Sequence, residues 1–199
     1  MNPAHRYTPR RPWQRLSDDE WLALLPYVER RSGPGRPLRE LRARLDGIFQ
    51  VAAAAAPWHA LPAEFGKPDT VSRYFRRLTH AGLWQRLLRA LAEVPPAHPL
   101  RRIEAWICRA CRRAHRILGL GFIVLIRRIG LRSALPGPPW LVADPDLSES
   151  LFRHPIPLPD WTDRRSIRRV RALAGTLRRL LGVTAGRRSL PRCLRLAWA

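Results

Sequence analysis

The chain has 199 residues and a formal charge of +22, from 37 basic and 15 acidic side chains. This excess favours a polyanionic partner, with nucleic acid ahead of an anionic membrane surface. Three cysteines, an odd number, argue against a disulfide-stapled secreted domain, and no N-terminal signal pattern is present. The longest apolar run, Leu118–Ile126, is far shorter than the roughly 20 residues that span a bilayer. We therefore expect a cytoplasmic, nucleoid-associated protein without a membrane span.

Arginine supplies almost all of the positive charge, since Lys67 is the only lysine. Arginine suits bidentate contacts with phosphate and guanine. A composition rich in arginine, alanine, proline, glycine and leucine is also what GC-rich coding produces. Codon composition therefore remains an alternative explanation for charge outside the central motif.

Residues 1–15 carry arginines and prolines without a helical period, which predicts a flexible basic arm. Such an arm is either a disordered terminus or a segment that enters a minor groove. Ser17 and Glu20 have the spacing of a capping box and predict the start of a helix. The apolar residues that follow at helical spacing are Trp21, Leu24, Leu25 and Val28.

Residues 30–37, RRSGPGRP, contain too much glycine and proline to be helical throughout. Their Gly-Arg-Pro core resembles the minor-groove-binding AT-hook, although Pro34 and the single central arginine depart from it. A plain linker is the alternative. Residues 38–56 then predict an amphipathic helix that Pro57 ends. Arg36 and Arg39 are candidate DNA contacts in this part of the chain.

The stretch from Pro57 to Trp84 predicts two short helices joined by a tight turn. The first spans Trp58 to Phe65, and the second spans Thr70 to Ala81. We expect Asp69 to cap the second helix and Gly82 to end it. At 100° per residue, the apolar side holds Val71, Tyr74, Phe75 and Leu78. The polar side holds Ser72, Arg73, Arg76, Arg77 and His80. This division is typical of a recognition helix in a helix-turn-helix.

Residues 83–94 predict a further helix that packs behind the recognition helix, and Pro95-Pro96 predicts a domain boundary. The first domain is thus residues 16–94. Residues 95–132 predict a basic amphipathic segment that docks, dimerises, or lies on DNA or a membrane surface. Residues 133–163 predict a proline-rich loop, and residues 164–199 predict a basic helix and tail. Residues 95–199 hold +15 of the net charge.

Cys108, Cys111 and His115 fall close together on the predicted helix over residues 100–118. A structural zinc site needs four ligands, so a remote residue such as His98 or Cys193 would have to complete it. Half-buried thiols are the alternative, and we predict no metal and no cofactor.

Residues 16–93 resemble the N-terminal domain of DDE-type insertion-sequence transposases of the bacterial IS-five family. Four blocks carry the resemblance: LSDDEWLALLPYV, GRPLRELRARLDGIF, PWHALPAEFGKPDTVSRYFRRLTHAGLW and QRLLRAL. The resemblance implies binding to the terminal inverted repeats of an insertion element. Carried over residue by residue, it points to Lys67, Thr70, Ser72, Arg73, Arg76, Arg77 and His80.

The same resemblance implies a following ribonuclease-H-like sheet, whose two Asp and one Glu hold two metal ions. No such pattern follows residue 95. The acids beyond Glu104 are Asp144, Asp146, Glu149, Asp160 and Asp163, all in a proline-rich stretch. They predict loop carboxylates or helix caps, so we predict no catalytic residues and no enzyme activity of this chain alone.

These patterns predict an all-α protein, with a small helix-turn-helix domain followed by basic helices and a proline-rich irregular segment. We expect a protein of transposase origin that binds double-stranded DNA without strand-transfer chemistry. One alternative is the first-frame subunit of a transposase, completed by frameshift or by a separate catalytic chain. Another is an arginine-rich interaction or membrane-surface protein. A homodimer is a further possible assembly.

Overall fold

The computed structural model describes residues 6–29, 40–186 and 190–198. Within these ranges the protein consists of ten α-helices and four short 3-10 turns, with no strand. The predicted all-α class is confirmed. Contacts divide the chain into two compact units, of which the first ends at Pro136 and the second spans Gly137–Trp198.

The first unit contains seven helices. They are α1 Asp18–Val28, α2 Leu41–Ala53, α3 Pro68–His80, α4 Leu83–Glu93, α5 Pro99–Arg102, α6 Glu104–Leu118 and α7 Leu120–Ile129. Helix α1 begins with the predicted capping box: the Ser17 hydroxyl accepts from the Glu20 N–H at 3.2 Å, and Glu20 accepts from the Ser17 N–H at 3.0 Å. The two hydrogen bonds between Ser17 and Glu20 thus define where α1 begins.

Helix α6 is the centre of the first unit, and it packs against α2, α3, α4 and α7. Trp106, Ile107 and Ala110 on its apolar side are completely buried. The Trp106 ring lies 6.2 Å from the ring of Phe49 on α2. The sequence predicted a boundary at Pro95-Pro96, whereas the structure continues the same core through α5, α6 and α7. Helical periodicity identifies an apolar face but does not identify the partner that covers it.

Residues 6–15 lie along the first unit, where the sequence predicted a flexible arm. Arg6 donates to the buried carboxylate of Glu104 at 3.0 and 2.9 Å. The Thr8 hydroxyl donates to the same carboxylate, and the guanidinium of Arg11 lies 4.5 Å from the centre of the Trp106 ring. These contacts join residues nearly one hundred positions apart, so no local sequence pattern predicts them.

The second unit contains α8 Pro145–Phe152, α9 Arg164–Thr184 and α10 Arg192–Ala197. Helix α8 packs against α9, and the Asp144 N–H donates to the Thr184 carbonyl at 2.7 Å. The predicted loop over residues 133–163 therefore contains α8 and a 3-10 turn at Pro139–Leu141. The predicted basic helix and tail over residues 164–199 contain α9 and α10.

Candidate nucleic-acid interface

The segment before α3 differs from the predicted helix over Trp58 to Phe65. It forms two separate 3-10 turns, Trp58–Ala60 and Ala63–Phe65. Pro62 lies between them and has no N–H to donate to a continuing helix. Gly66 then adopts a φ of +99°, which a residue with a side chain rarely adopts. The feature that leads into α3 is thus a pair of tight turns.

Helix α3 begins two residues earlier than predicted, at Pro68, because proline at the first helical position sacrifices no needed N–H. Lys67 occupies the N-cap position. Asp69 lies inside the first turn and makes no capping bond, so its predicted capping role is wrong; its charge still suits the positive end of the helix. Gly82 follows the helix with a φ of +75°, which confirms its predicted role in ending α3.

The buried side of α3 is the predicted one, with Val71, Tyr74, Phe75 and Leu78 in the core. Phe75 contacts two tryptophans in tilted arrangements, and the centre of its ring lies 5.4 Å from those of Trp58 and Trp84. Thr79 is also completely buried. Its hydroxyl donates to the Phe75 carbonyl at 2.8 Å and accepts from Trp84 Nε1 at 2.8 Å. The hydrogen bond between Thr79 and Trp84 thus links α3 to α4.

The opposite side of α3 is exposed and basic. Thr70, Arg73, Arg76, Arg77 and His80 are exposed there, together with Lys67 just before the helix. Ser72 is half-buried, and its hydroxyl donates to the Asp69 carbonyl at 3.1 Å. The structure thus brings together seven of the nine predicted DNA contacts along one helix. Arg36 and Arg39 lie outside the described residues.

The arginines of this exposed side are available for an external anion. Across the described ranges, no carboxylate forms an ion pair with Arg73, Arg76 or Arg77. The Arg77 guanidinium lies 5.6 Å from the centre of the Tyr74 ring. Such stacking restrains a long side chain while leaving its donors free to bind.

Arg44 of α2 adds a cation that the sequence analysis did not assign to the interface. Its guanidinium lies 6.0 Å from the Tyr74 ring, so Arg44 and Arg77 both approach this one aromatic side chain. Burial raises the pKa of Tyr74 to about 12, although the two guanidiniums oppose this rise. The only sequence feature that indicates this role is the position of Arg44 outside the apolar stripe of α2. We define the α3 face as Lys67, Thr70, Arg73, Arg76, Arg77 and His80, with Arg44 beside it.

Arg113 supports the turns that precede α3. Its guanidinium donates to the Ala56 carbonyl just beyond α2 and lies 4.9 Å from the Trp58 ring centre. Burial lowers the pKa of Arg113 to about 10. A cation suits this place because the end of a helix carries partial negative charge. Arg113 thus helps to position Trp58, which in turn contacts Phe75 of α3.

A second basic feature of the first unit is a cavity of about 370 Å³ lined by Arg10, Arg11 and Arg109 with Pro12, Ala53 and Ala105. Burial, and secondly the charge of Arg10, lower the pKa of Arg109. Arg11 is already engaged, because it forms an ion pair with the buried Glu20 at 3.1 Å. At least one of the arginines that line the cavity thus serves the fold.

Cys108 and Cys111 of the cysteine cluster are buried, and burial raises the pKa of both thiols. The part of the chain that the structure describes contains no group of three or more His, Cys, Asp or Glu that could hold a metal ion.

The acids of the second unit have local structural roles. Asp144 accepts from the Leu147 N–H and caps α8, and Asp163 accepts from two N–H groups and caps α9. Asp160 accepts from the Thr162 N–H and hydroxyl at 2.9 and 2.6 Å, and Glu149 pairs with Arg153 at 2.6 Å. Asp144 and Asp163 are thus helix caps, which is one of the two roles predicted for these acids.

Residues 16–88 match the family model described as "Putative transposase of IS4/5 family". The matched segment contains α1, α2 and α3 and ends within α4. The resemblance drawn from the sequence is confirmed over this segment, which is therefore transposase-related. No curated protein and no solved structure matches the chain. Among the described residues, no helix is long and apolar enough to cross a bilayer.

Proposed function

We propose that this protein binds duplex DNA and that it reads the ends of an insertion element through the α3 face. The observation that carries the proposal is the exposed, unpaired row of Arg73, Arg76 and Arg77 on a helix whose other side is rigidly packed. This helix lies within the segment that matches the transposase family. An α-helix of this kind fits the major groove, where arginine can donate both of its outer N–H groups to guanine.

The proposal includes the absence of strand-transfer chemistry in this chain. Four of the five candidate acids beyond Glu104 are held in caps, turns or an ion pair, and the described residues form no acidic group suited to two metal ions. The protein would hold and position DNA ends, and its site of action would be the nucleoid.

The direct test compares binding to the inverted repeats beside the gene with binding to a shuffled duplex of equal length. The Arg73→Ala/Arg76→Ala variant should lose discrimination by about 1–3 kcal/mol for each base contact removed. The matched control is Arg89→Ala/Arg116→Ala, which removes two exposed arginines of the same unit outside the α3 face. Unchanged discrimination in the Arg73/Arg76 variant would refute the assignment.

The match to a transposase family favours one second candidate, a binding subunit that works with a separate catalytic chain. A reading frame overlapping or following the gene and encoding an acidic triad is the expected sign. Co-purification of its product with this protein on inverted-repeat DNA would support the candidate. If no such frame is present, the role is confined to binding or regulation.

A further inference from the structure

Helix α9 carries a row of positive charge that has no part in the function proposed for the α3 face. Its 21 residues include seven arginines and no acid. At 100° per residue, five of the arginines fall within about 100° of the helix circumference. We call these five the α9 stripe: Arg164, Arg168, Arg171, Arg178 and Arg179. All five are exposed.

The packing of α9 fixes the direction of the stripe. Leu177 and Thr184 are buried on the opposite side, and Val170 and Leu173 are half-buried there. Helix α8 packs against α9, and Thr184 is tied to Asp144 through the backbone. The helix therefore cannot rotate to cover its arginines without exposing this apolar side.

The stripe is not neutralised within its own unit. None of its five guanidiniums forms an ion pair with a carboxylate of the described residues. The nearest acid in sequence, Asp163, accepts from the first N–H groups of α9, and Glu149 pairs with Arg153. Like charges three or four residues apart on a helix destabilise it, as for Arg164, Arg168 and Arg171. An external polyanion would relieve that repulsion.

The spacing of the stripe suits a nucleic-acid backbone. From Arg164 to Arg179 the helix rises about 22 Å, at about 1.5 Å per residue. Duplex DNA presents one negative charge per roughly 1.7 Å of its axis, so every arginine of the stripe has phosphates within reach. Adsorption to a membrane would instead use the apolar side of the same helix, where α8 packs and Leu177 is buried.

We propose that the α9 stripe is a second phosphate-contact surface, which binds duplex DNA without regard to sequence. The inference rests on the proposed function for its class of partner, but not on the role of α3. Contacts to phosphate position a protein on DNA and add affinity, whereas base contacts specify the site. The stripe would therefore add affinity equally to every duplex.

The test uses the full chain with Arg168, Arg171 and Arg178 changed to Gln, which removes the charge and keeps an unbranched polar side chain of similar helix propensity. Binding is measured by fluorescence anisotropy with an inverted-repeat duplex and a shuffled duplex over a range of salt concentrations. We expect both affinities to fall by the same factor. The slope of log K against log salt should decrease by about 0.9 for each phosphate that an arginine no longer neutralises. Circular dichroism should show unchanged helicity.

The matched control removes the same charge elsewhere, with Arg89, Arg116 and Arg128 of the first unit changed to Gln; all three are exposed. The proposal is overturned if the control weakens binding as much as the stripe variant, or if the stripe variant keeps the parent's salt slope. It is also overturned if the stripe variant loses binding to vesicles of anionic phospholipid while DNA binding is unchanged. Failure of the α3 proposal looks different, because it leaves sequence discrimination intact in Arg73→Ala/Arg76→Ala.

Discussion

The Trp84 indole donates to the Thr79 hydroxyl across the two-residue turn between α3 and α4, at a distance of 2.8 Å. Both side chains are completely buried. The orientation of the α3 face relative to α4 therefore depends on a polar pair within an apolar core. A buried polar pair of this kind is costly to break, because each partner leaves the other unsatisfied.

Thr79→Val should lower the free energy of unfolding by about 1–3 kcal/mol, because the substitution keeps the shape of the side chain and leaves the Trp84 N–H without an acceptor. Urea denaturation followed by circular dichroism provides the measurement. In Trp84→Phe the donor is absent, so adding Thr79→Val should cost less than it does in the parent. Equal costs in the two backgrounds would show that the hydrogen bond contributes nothing.

Glu104→Gln should release residues 6–15 from the first unit. Glu104 is buried and accepts from Arg6, Thr8 and Arg101, so a neutral amide weakens four charge-assisted bonds. We expect faster tryptic cleavage after Arg10 and a loss of roughly 1–3 kcal/mol of stability. The control is Glu149→Gln, whose partner Arg153 is largely exposed. That change should cost no more than about 1 kcal/mol. Unchanged cleavage in Glu104→Gln would contradict the anchoring role.

Gly47→Ala should destabilise the first unit although alanine favours helix formation. A Cβ at position 47 would lie 2.7 Å from the Cβ of Phe65, which belongs to the second 3-10 turn before α3. The overlap would force α2 away from that turn and should lower the melting temperature. Gly121→Ala is the matched control because a Cβ there meets no atom within 4 Å. It should be neutral or stabilising by up to about 1 kcal/mol. Equal melting temperatures in the two variants would contradict the close approach.

Asp46 should make the free energy of unfolding fall as pH rises, whereas an ion-paired carboxylate makes it rise. Burial raises its pKa above the ordinary value, although the Leu16 N–H and Arg42 oppose the rise. The folded state then holds the proton more strongly than the unfolded state, so stability falls as pH rises through the interval from about 3.8 to the raised value.

Asp46→Asn removes this titration while retaining an oxygen that can accept from Leu16. The difference in unfolding free energy, parent minus variant, should increase as pH falls from 7 towards 4. Denaturation of both proteins at several pH values measures it. A difference that is constant with pH would rule out the raised pKa.

Local chemistry made much of the fold predictable from the sequence. The capping box at Ser17 and Glu20, the turn at Gly82 and the two-sided pattern of α3 each depend on neighbours within about four residues. The helix predicted over Trp58 to Phe65 failed because Pro62 interrupts it. Long-range contacts were not predictable: neither the charge of Glu104 nor the ring of Trp106 indicates that residues 6–15 will lie on them.

The candidate interface also has features that the sequence predicts and features that it does not. The α3 face follows from helical spacing, whereas the approach of Arg44 to Tyr74 depends on how α2 packs against α3. The role of Thr79 was not predictable. The sequence does not show that the indole of Trp84, five residues later, donates to the Thr79 hydroxyl.

The central position of α6 has a consequence for modularity. The family match ends at residue 88, but Phe49 within the matched segment packs against Trp106 of α6, well beyond it. The segment that matches the family model is therefore smaller than the unit that packs around α6. A chain cut after α4 would expose the surfaces of α2, α3 and α4 that α6 covers, and hydrogen exchange should show α2 and α6 opening together as one cooperative block.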